Sequence, residues 1–364
     1  MTTQSKKSMV LLVVLALVIA ACVPGATGKK SKKSKKKRKA APVATAPAFA
    51  PAPQPIPVPA GQAPAPAANP GTPAASAIGG CPLMPANSFW HADISRLPVH
   101  PQSAAWVNSS GAGSWMHMDF GSGLWNGGPI GIPVTVTSGN VPPVPIAFQY
   151  HTESDAGPYP LPSWTAIEGG SGASGDRHAI VVDTSTCLSY ELYNAHPGST
   201  WLAGSGAIFN LTSNAMRPLG WTSADAAGLP ILPGLVRYDE VAAGVVDHAI
   251  RIAVPRTRNS YIWPASHQAG SSNDPNLPPM GAWFRLRADA DLSGLSYQAR
   301  VIAEAMQRHG LVVADNGAPW HVIGVPDERW NNQQLHELHR FVGANLEAVD
   351  ASSISVSPNS YEVR

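Results

Sequence analysis

After Ala40 this chain contains no lysine, and before residue 90 it contains no aspartate or glutamate. It has three cysteines, and helical periodicity is almost absent until the last fifth of the sequence. Its longest apolar run, Met9 to Ala21, has 13 residues, short of the about 20 that cross a bilayer as a helix. There is no Gly-x-Ser-x-Gly, so the nucleophile elbow of the common serine hydrolases is missing. A P-loop, a glycine-rich dinucleotide fingerprint and a Cys-x-x-Cys pair are also absent, which removes the usual nucleotide and dithiol chemistries. "HELH", His336 to His339, falls short of the zinc-protease motif, because Arg340 stands where the second histidine must be to share one helix face with the first.

What is present begins with an export signal. Lys6 and Lys7 precede the apolar run Met9–Ala21, the layout of a secretory signal over residues 1–21. Its end, Ile19-Ala20-Ala21-Cys22, resembles the lipobox of bacterial lipoproteins, which implies a lipidated Cys22. The plainer alternative is ordinary cleavage near Ala21. With Cys22 lipidated, Cys81 and Cys187 are left, and outside the cytoplasm such a pair is expected to oxidise. Otherwise they are two buried thiols. Residues 22–39 hold the anchor site and "KKSKKSKKKRK", Lys29 to Lys39, a like-charge block that stays solvated. One acyl chain plus a polybasic patch suits an anionic membrane surface. Nucleic acid is a poor partner, since the block has no interleaved aromatics and follows an export signal. Beyond it the charge reverses, with 14 arginines against 23 carboxylates. Residues 40–79 are a Pro/Ala-rich tether, disordered or extended as polyproline II at about 3.1 Å per residue, hence up to about 120 Å.

Residues 80–364 carry the folded part. Short runs rich in β-formers, such as "GIPVTVT", "VPIAFQY", "RHAIVVD", "CLSYELY", "GAIFNL", "HAIRIAV", "SYIW" and "WFRLR", alternate with Gly and Pro punctuation. This pattern predicts a mainly β domain of sandwich or jelly-roll type. "AIVVDTSTCLSYELY" reads as a hairpin, with Leu188, Tyr190 and Leu192 on one face and Ser189 and Glu191 on the other. "SYQARVIAEAMQRHG" and "NQQLHELHRFVG" read as helices. Between them "LVVADNG" and "WHVIGVPD" look like a second hairpin, giving a C-terminal α-β-β-α section. "AGLPILPGLVRYDEV" reads as a strand crossing under the core to a charged edge.

Tryptophan outnumbers phenylalanine and tyrosine, 11 against 7 and 8. Trp115, Trp125, Trp164 and Trp221 sit in Gly- or Pro-rich contexts that suit platforms for the flat C–H faces of sugars. The bland reading makes each of them a core filler. Acids and histidines cluster in the same loops. Glu168, Asp176, His178, Asp225 and His267 are the candidate catalytic set, and Arg177 a candidate substrate-binding residue. One protonated carboxyl and one carboxylate are the parts of a glycoside hydrolase. A polysaccharide lyase would instead need an arginine or metal with a basic His or Tyr. The stretch "EGGSGASGDRHAIVVD" leaves three readings open: an Asp176–Arg177 ion pair at a turn, Asp176 and His178 as acid and base on one strand face, or a divalent-metal site with His117 or His267. His117, Asp119 and His178 are the metal candidates, and no cofactor is certain.

The strings "GCPLMPANSFW", "ESDAGPYP", "GDRHAIVVD", "TSADAAGLPILPGLVRYDEV" and "DPNLPPMG" resemble a group of secreted bacterial proteins without an assigned activity, over about residues 81–350. The resemblance implies a common extracellular module with a variable anchor, and transfers no catalytic residue. The sequence thus points to an extracellular, membrane-anchored enzyme acting on a polysaccharide or cell-wall glycan, a glycoside hydrolase first and a polysaccharide lyase second. The alternative is a noncatalytic wall-binding module.

Overall fold

The computed structural model describes residues 77–364. The signal segment 1–21, the anchor and basic segment 22–39 and nearly all of the tether lie outside the described residues. The tether's last residues are already part of the fold: Ala77–Ile78 pairs with Cys81–Pro82, three residues before the composition changes. Cys81 and Cys187 form a disulfide, which ties this entry to the hairpin turn as the cysteine count suggested. No helix among the described residues is long and apolar enough to cross a membrane.

The strands, in chain order, are β1 (Ala77–Ile78), β2 (Cys81–Pro82), β3 (His117–Asp119), β4 (Leu124–Trp125), β5 (Gly128–Pro129), β6 (Val134–Thr137), β7 (Ile146–Phe148), β8 (Ala179–Asp183), β9 (Leu188–Tyr193), β10 (Trp201–Ala203), β11 (Ser205–Asn210), β12 (Ile250–Val254), β13 (Trp283–Leu286), β14 (Leu311–Asn316), β15 (His321–Ile323) and β16 (Leu346–Ala348). The helices are α1 (Ser103–Gly111), α2 (Tyr238–Ala243), α3 (Tyr297–Arg308) and α4 (Asn332–His336). Strand outweighs helix, 27% to 16%, so the fold is mainly β. A four-stranded sheet runs β11-β9-β8-β6 and a curled six-stranded sheet runs β16-β13-β14-β12-β15-β3. Three of their pairs, β6/β8, β12/β14 and β3/β15, are parallel, unlike the all-antiparallel ladders of a jelly roll.

The β8–β9 hairpin forms with Asp183 opposite Leu188. Both faces of β8 are covered, Ile180 and Val182 by the main core and Ala179 and Val181 by a smaller cluster around Tyr159, Tyr190 and Trp201. This explains why "AIVV" is a continuous apolar run. Four expectations are corrected. "LVVADNG" and "WHVIGVPD" form β14 and β15, yet they do not pair as a hairpin, because β12 lies between them. β12 is buried along its whole length, so the more apolar strand takes the central position. "SYIW" forms only an isolated bridge from Tyr261 to Met280, as Pro264 follows at once and cannot donate to a ladder. The second predicted helix is cut to α4 and tightens into a 3-10 turn over Glu337–Arg340.

"GLPILPGL" is also no strand. It is a buried segment containing a 3-10 turn at Leu232–Gly234, and it explains the inward-facing Glu191. That carboxylate is fully buried and accepts hydrogen bonds from the Ile231 and Leu232 amides, at 2.7 and 3.1 Å, and from the Ser189 hydroxyl at 3.1 Å. Burial nevertheless pushes its pKa up to about 7. The native state therefore holds a proton that the unfolded chain releases near 4.5, and this group's contribution to stability falls as pH rises from about 4.5 to about 7. Glu191→Ala orphans two core amides. It is expected to cost about 2–4 kcal/mol in urea unfolding and to remove that part of the pH slope.

Candidate active site

The site is laid out by strand register. Across the six-stranded sheet Asp315 stands opposite Ala253, Ala253 opposite His321, and His321 opposite His117. Residues opposite one another share a face, so one face carries the row Asp315, Ala253, His321, His117. Arg251, two positions before Ala253, lies on the same face. Asp315 reaches it through an irregularity. The β12/β14 pairing shifts between Ile252 and Ala253, leaving Ala314 as an extra residue in β14. Without that bulge the alternation would send Asp315 to the opposite side. The Ala314 carbonyl freed by the bulge accepts the Ala227 amide at 3.0 Å, which fixes the Ser223–Gly228 loop beside it.

That loop delivers Asp225, whose side chain is fully buried. Its Oδ2 accepts from Arg251 Nε at 3.2 Å, and Arg251 Nη2 lies 3.9 Å from Asp315 Oδ2. One buried guanidinium thus stands between two carboxylates. Burial, and then the Asp225 carboxylate, push Asp315 up to about 6 against the pull of Arg251. Burial likewise raises Asp225 despite the arginine.

A cleft of about 370 Å³ opens over this pair, lined by Tyr150, Glu153, Asp176, Tyr193, Asp225, His267, Asp315 and Asn316. His267 donates from Nδ1 to the Ala226 carbonyl at 2.8 Å, leaving Nε2 3.8 Å from Glu153. No lysine or arginine is among the residues lining the cleft.

The stretch 168–178 turns out to be a clamped loop. Glu168 accepts from His178 Nδ1 at 2.7 Å and from the His178 amide at 3.2 Å, while the Glu168 amide donates to the His178 carbonyl at 2.9 Å. Asp176, Arg177 and His178 point three different ways. Asp176 lines the cleft. Arg177, at φ +52°, is buried and donates to the carbonyls of Ser171, Ala173 and Ala195, so its guanidinium braces the loop. His178 is buried against Glu168. Burial opposes its protonation, but the Glu168 carboxylate outweighs burial and the imidazole pKa moves up. Glu168 moves down for the reciprocal reason, burial being outweighed by His178. Buried His178 Nε2 and Arg251 Nη2 have no hydrogen-bond partner. Orphaned buried donors of this kind are rare and call for an explanation.

Glu168 also lines a second cavity of about 510 Å³, with His117, Asp119, Trp125, His321 and His336. The candidate set is therefore divided: Asp176, Asp225 and His267 meet in the acid cleft, and Glu168 faces the second cavity with His178 buried behind it. Of the tryptophans, Trp125 lines the second cavity. Trp115 lies in a shallow depression beside His117 and His321 and stacks on His339 at 5.9 Å. Trp221 packs on the Arg217 guanidinium at 5.6 Å. Trp164 is exposed and lines neither cavity. Among the described residues no three His, Cys, Asp or Glu side chains are placed to hold a metal ion; His117 and Asp119 flank His321, apart from His178. Arg251 and the role of Asp315 were not read from the sequence. A lone arginine inside "HAIRIAV" was the available signal, since a charge in a buried strand demands a partner.

The chain matches no protein-family model, no curated protein and no solved structure. The site's own chemistry is then the ground for a functional reading.

The Glu168–His178 pair stabilises the loop where the histidine is protonated and the glutamate ionised. Its contribution is complete between the free glutamate value of 4.5 and the free histidine value of 6.5; it is lost as pH rises through the elevated folded value of His178 and as pH falls through the depressed value of Glu168. Glu168→Gln is expected to cost about 1.5–3 kcal/mol near pH 6 and progressively less as pH rises through the elevated histidine value, measured as the difference between paired urea titrations.

Proposed function

We propose that the folded part is a glycoside hydrolase acting on uncharged glycans, with Asp315 as its general acid. The observation that carries this reading is a carboxyl raised to about 6 on the floor of a cleft whose rim supplies two further carboxylates, Asp176 and Glu153. A hydrolase needs this asymmetry: one carboxyl keeps its proton for the leaving oxygen while another attacks the anomeric carbon or activates water. Asp176, carried on the clamped loop, fits the second role. Asp225 and Arg251 are positioning residues that set the proton affinity of Asp315. An acid-lined cleft repels uronates, the substrates of polysaccharide lyases, so the charge pattern favours hydrolysis over elimination.

The same proposal places the enzyme outside the cell, held at the membrane by a lipid on Cys22 and by the Lys29–Lys39 block. The Pro/Ala tether then gives it reach toward wall glycan.

Asp315→Asn is expected to lower kcat about 10²–10⁴-fold on a panel of neutral polysaccharides followed by reducing-end release. The wild-type kcat/KM is expected to fall as pH rises above about 6, as the acid loses its proton. Full turnover by Asp315→Asn, or no turnover by wild type on any glycan of the panel, defeats the hydrolase reading; retention without turnover points to a noncatalytic binding module. Cys22→Ser is expected to move the protein from the membrane fraction to the soluble fraction in cell fractionation.

A further inference from the structure

We propose that the second cavity is a sugar-binding subsite for the same glycan chain, so that the substrate is an uncharged polymer laid across residues 168–176 and cut internally. The proposal rests on the hydrolase reading for the cut, and on independent features for the binding.

The first feature is continuity. The row Asp315, Ala253, His321, His117 runs along one sheet face, with Asp315 in the acid cleft and both histidines in the second cavity. The clamped loop links the two, as Glu168 lines one and Asp176 the other. The loop's position is fixed by Arg177 and by the Glu168–His178 clamp, so the two binding places keep a set spacing.

The second feature is the chemistry of the walls. Trp125, 73% exposed at the end of the β4–β5 ribbon, lines the cavity with its indole. The ribbon is seated on the loop: a Cβ on Gly128 would fall 2.0 Å from the Gly169 carbonyl oxygen, so only glycine permits that approach. Met118, Phe120, Ile130 and Leu335 supply apolar wall, and His117, Asp119, His321 and His336 supply polar edges. Flat apolar surface beside convergent donors and acceptors matches a pyranose, whose C–H faces are ringed by hydroxyls.

The third feature is charge. The residues lining the second cavity include no lysine or arginine. Burial, helped by His321, holds the His117 imidazole below its ordinary range, and His321 beside Asp119 keeps that carboxyl low. The wall therefore combines an ionised carboxylate with a neutral imidazole that both donates and accepts. Sulfated or uronic polymers meet no countercharge there, and hydroxyl-rich neutral chains do.

The test uses the full chain carrying Asp315→Asn, so that ligand is held and not consumed. Titration calorimetry is run with laminarin, galactomannan and arabinan, with alginate as the anionic control, and then with the disaccharide and hexasaccharide of whichever polymer binds. Adding Trp125→Ala is expected to weaken the hexasaccharide about 10- to 100-fold, the loss of one buried indole contact, and to leave the disaccharide unchanged; Trp125→Phe should recover part of the loss. Wild type is expected to release internal fragments from the polymer. Equal hexasaccharide affinity with and without Trp125 overturns the subsite and leaves the hydrolase reading intact, whereas tighter binding of alginate than of the neutral glycans overturns both. Trp125-dependent binding with no wild-type turnover supports the subsite and sinks the hydrolase reading. Failure of all three neutral polymers to bind overturns it.

Discussion

The Arg251 guanidinium, buried between Asp225 and Asp315, is the interaction on which the site depends. A charge taken out of water is tolerated only when paired, and this one is matched from both sides: Asp225 accepts from Nε, while Asp315 stands 3.9 Å from Nη2. The two carboxylates compete for one cation, and that competition, added to burial, raises the proton affinity of Asp315. The Ser223–Gly228 loop, the β14 bulge and the central placement of β12 all serve to bring these three groups together.

Around that centre the molecule uses backbone carbonyls and amides to hold its irregular segments. Arg177 braces a Gly/Ser loop from within, and Glu191 satisfies the amides of a Pro-interrupted segment that joins no sheet. Both are ionisable side chains directed inward, and both replace the ladder hydrogen bonds that the chain forgoes where it leaves regular structure. A mainly β fold with so many Gly and Pro residues needs such anchors.

Much of the strand content was legible because β-branched runs between turn residues have few other outcomes: β6, β8, β9, β11, β12 and β13 fall where those runs lie. Helix α3 was legible from its 3.6-residue stripe. Strand order was not, since nothing local tells β12 to insert between β14 and β15. Tryptophan was legible only as a type. Trp90, Trp283 and Trp320 are sealed in the core and Trp330 is buried on the Val325 carbonyl, whereas Trp125 stands open, and local glycine content does not separate these cases. Asp176, Asp225 and His267 stand out by their loop contexts, and the structure places all three along one cleft. Asp315 does not stand out in this way, because a bulge that reverses a side chain leaves no trace in residue type.

That extra residue in β14 makes the placement of Asp315 a matter of counting as much as of chemistry. Point changes at Val313 or Ala314, both sealed in the core, are limited by packing but leave the parity of the strand alone. Loss or gain of one residue rotates Asp315 to the far side and separates it from Arg251 in a single step. The segment is therefore a ruler, its length as tightly constrained as its packing.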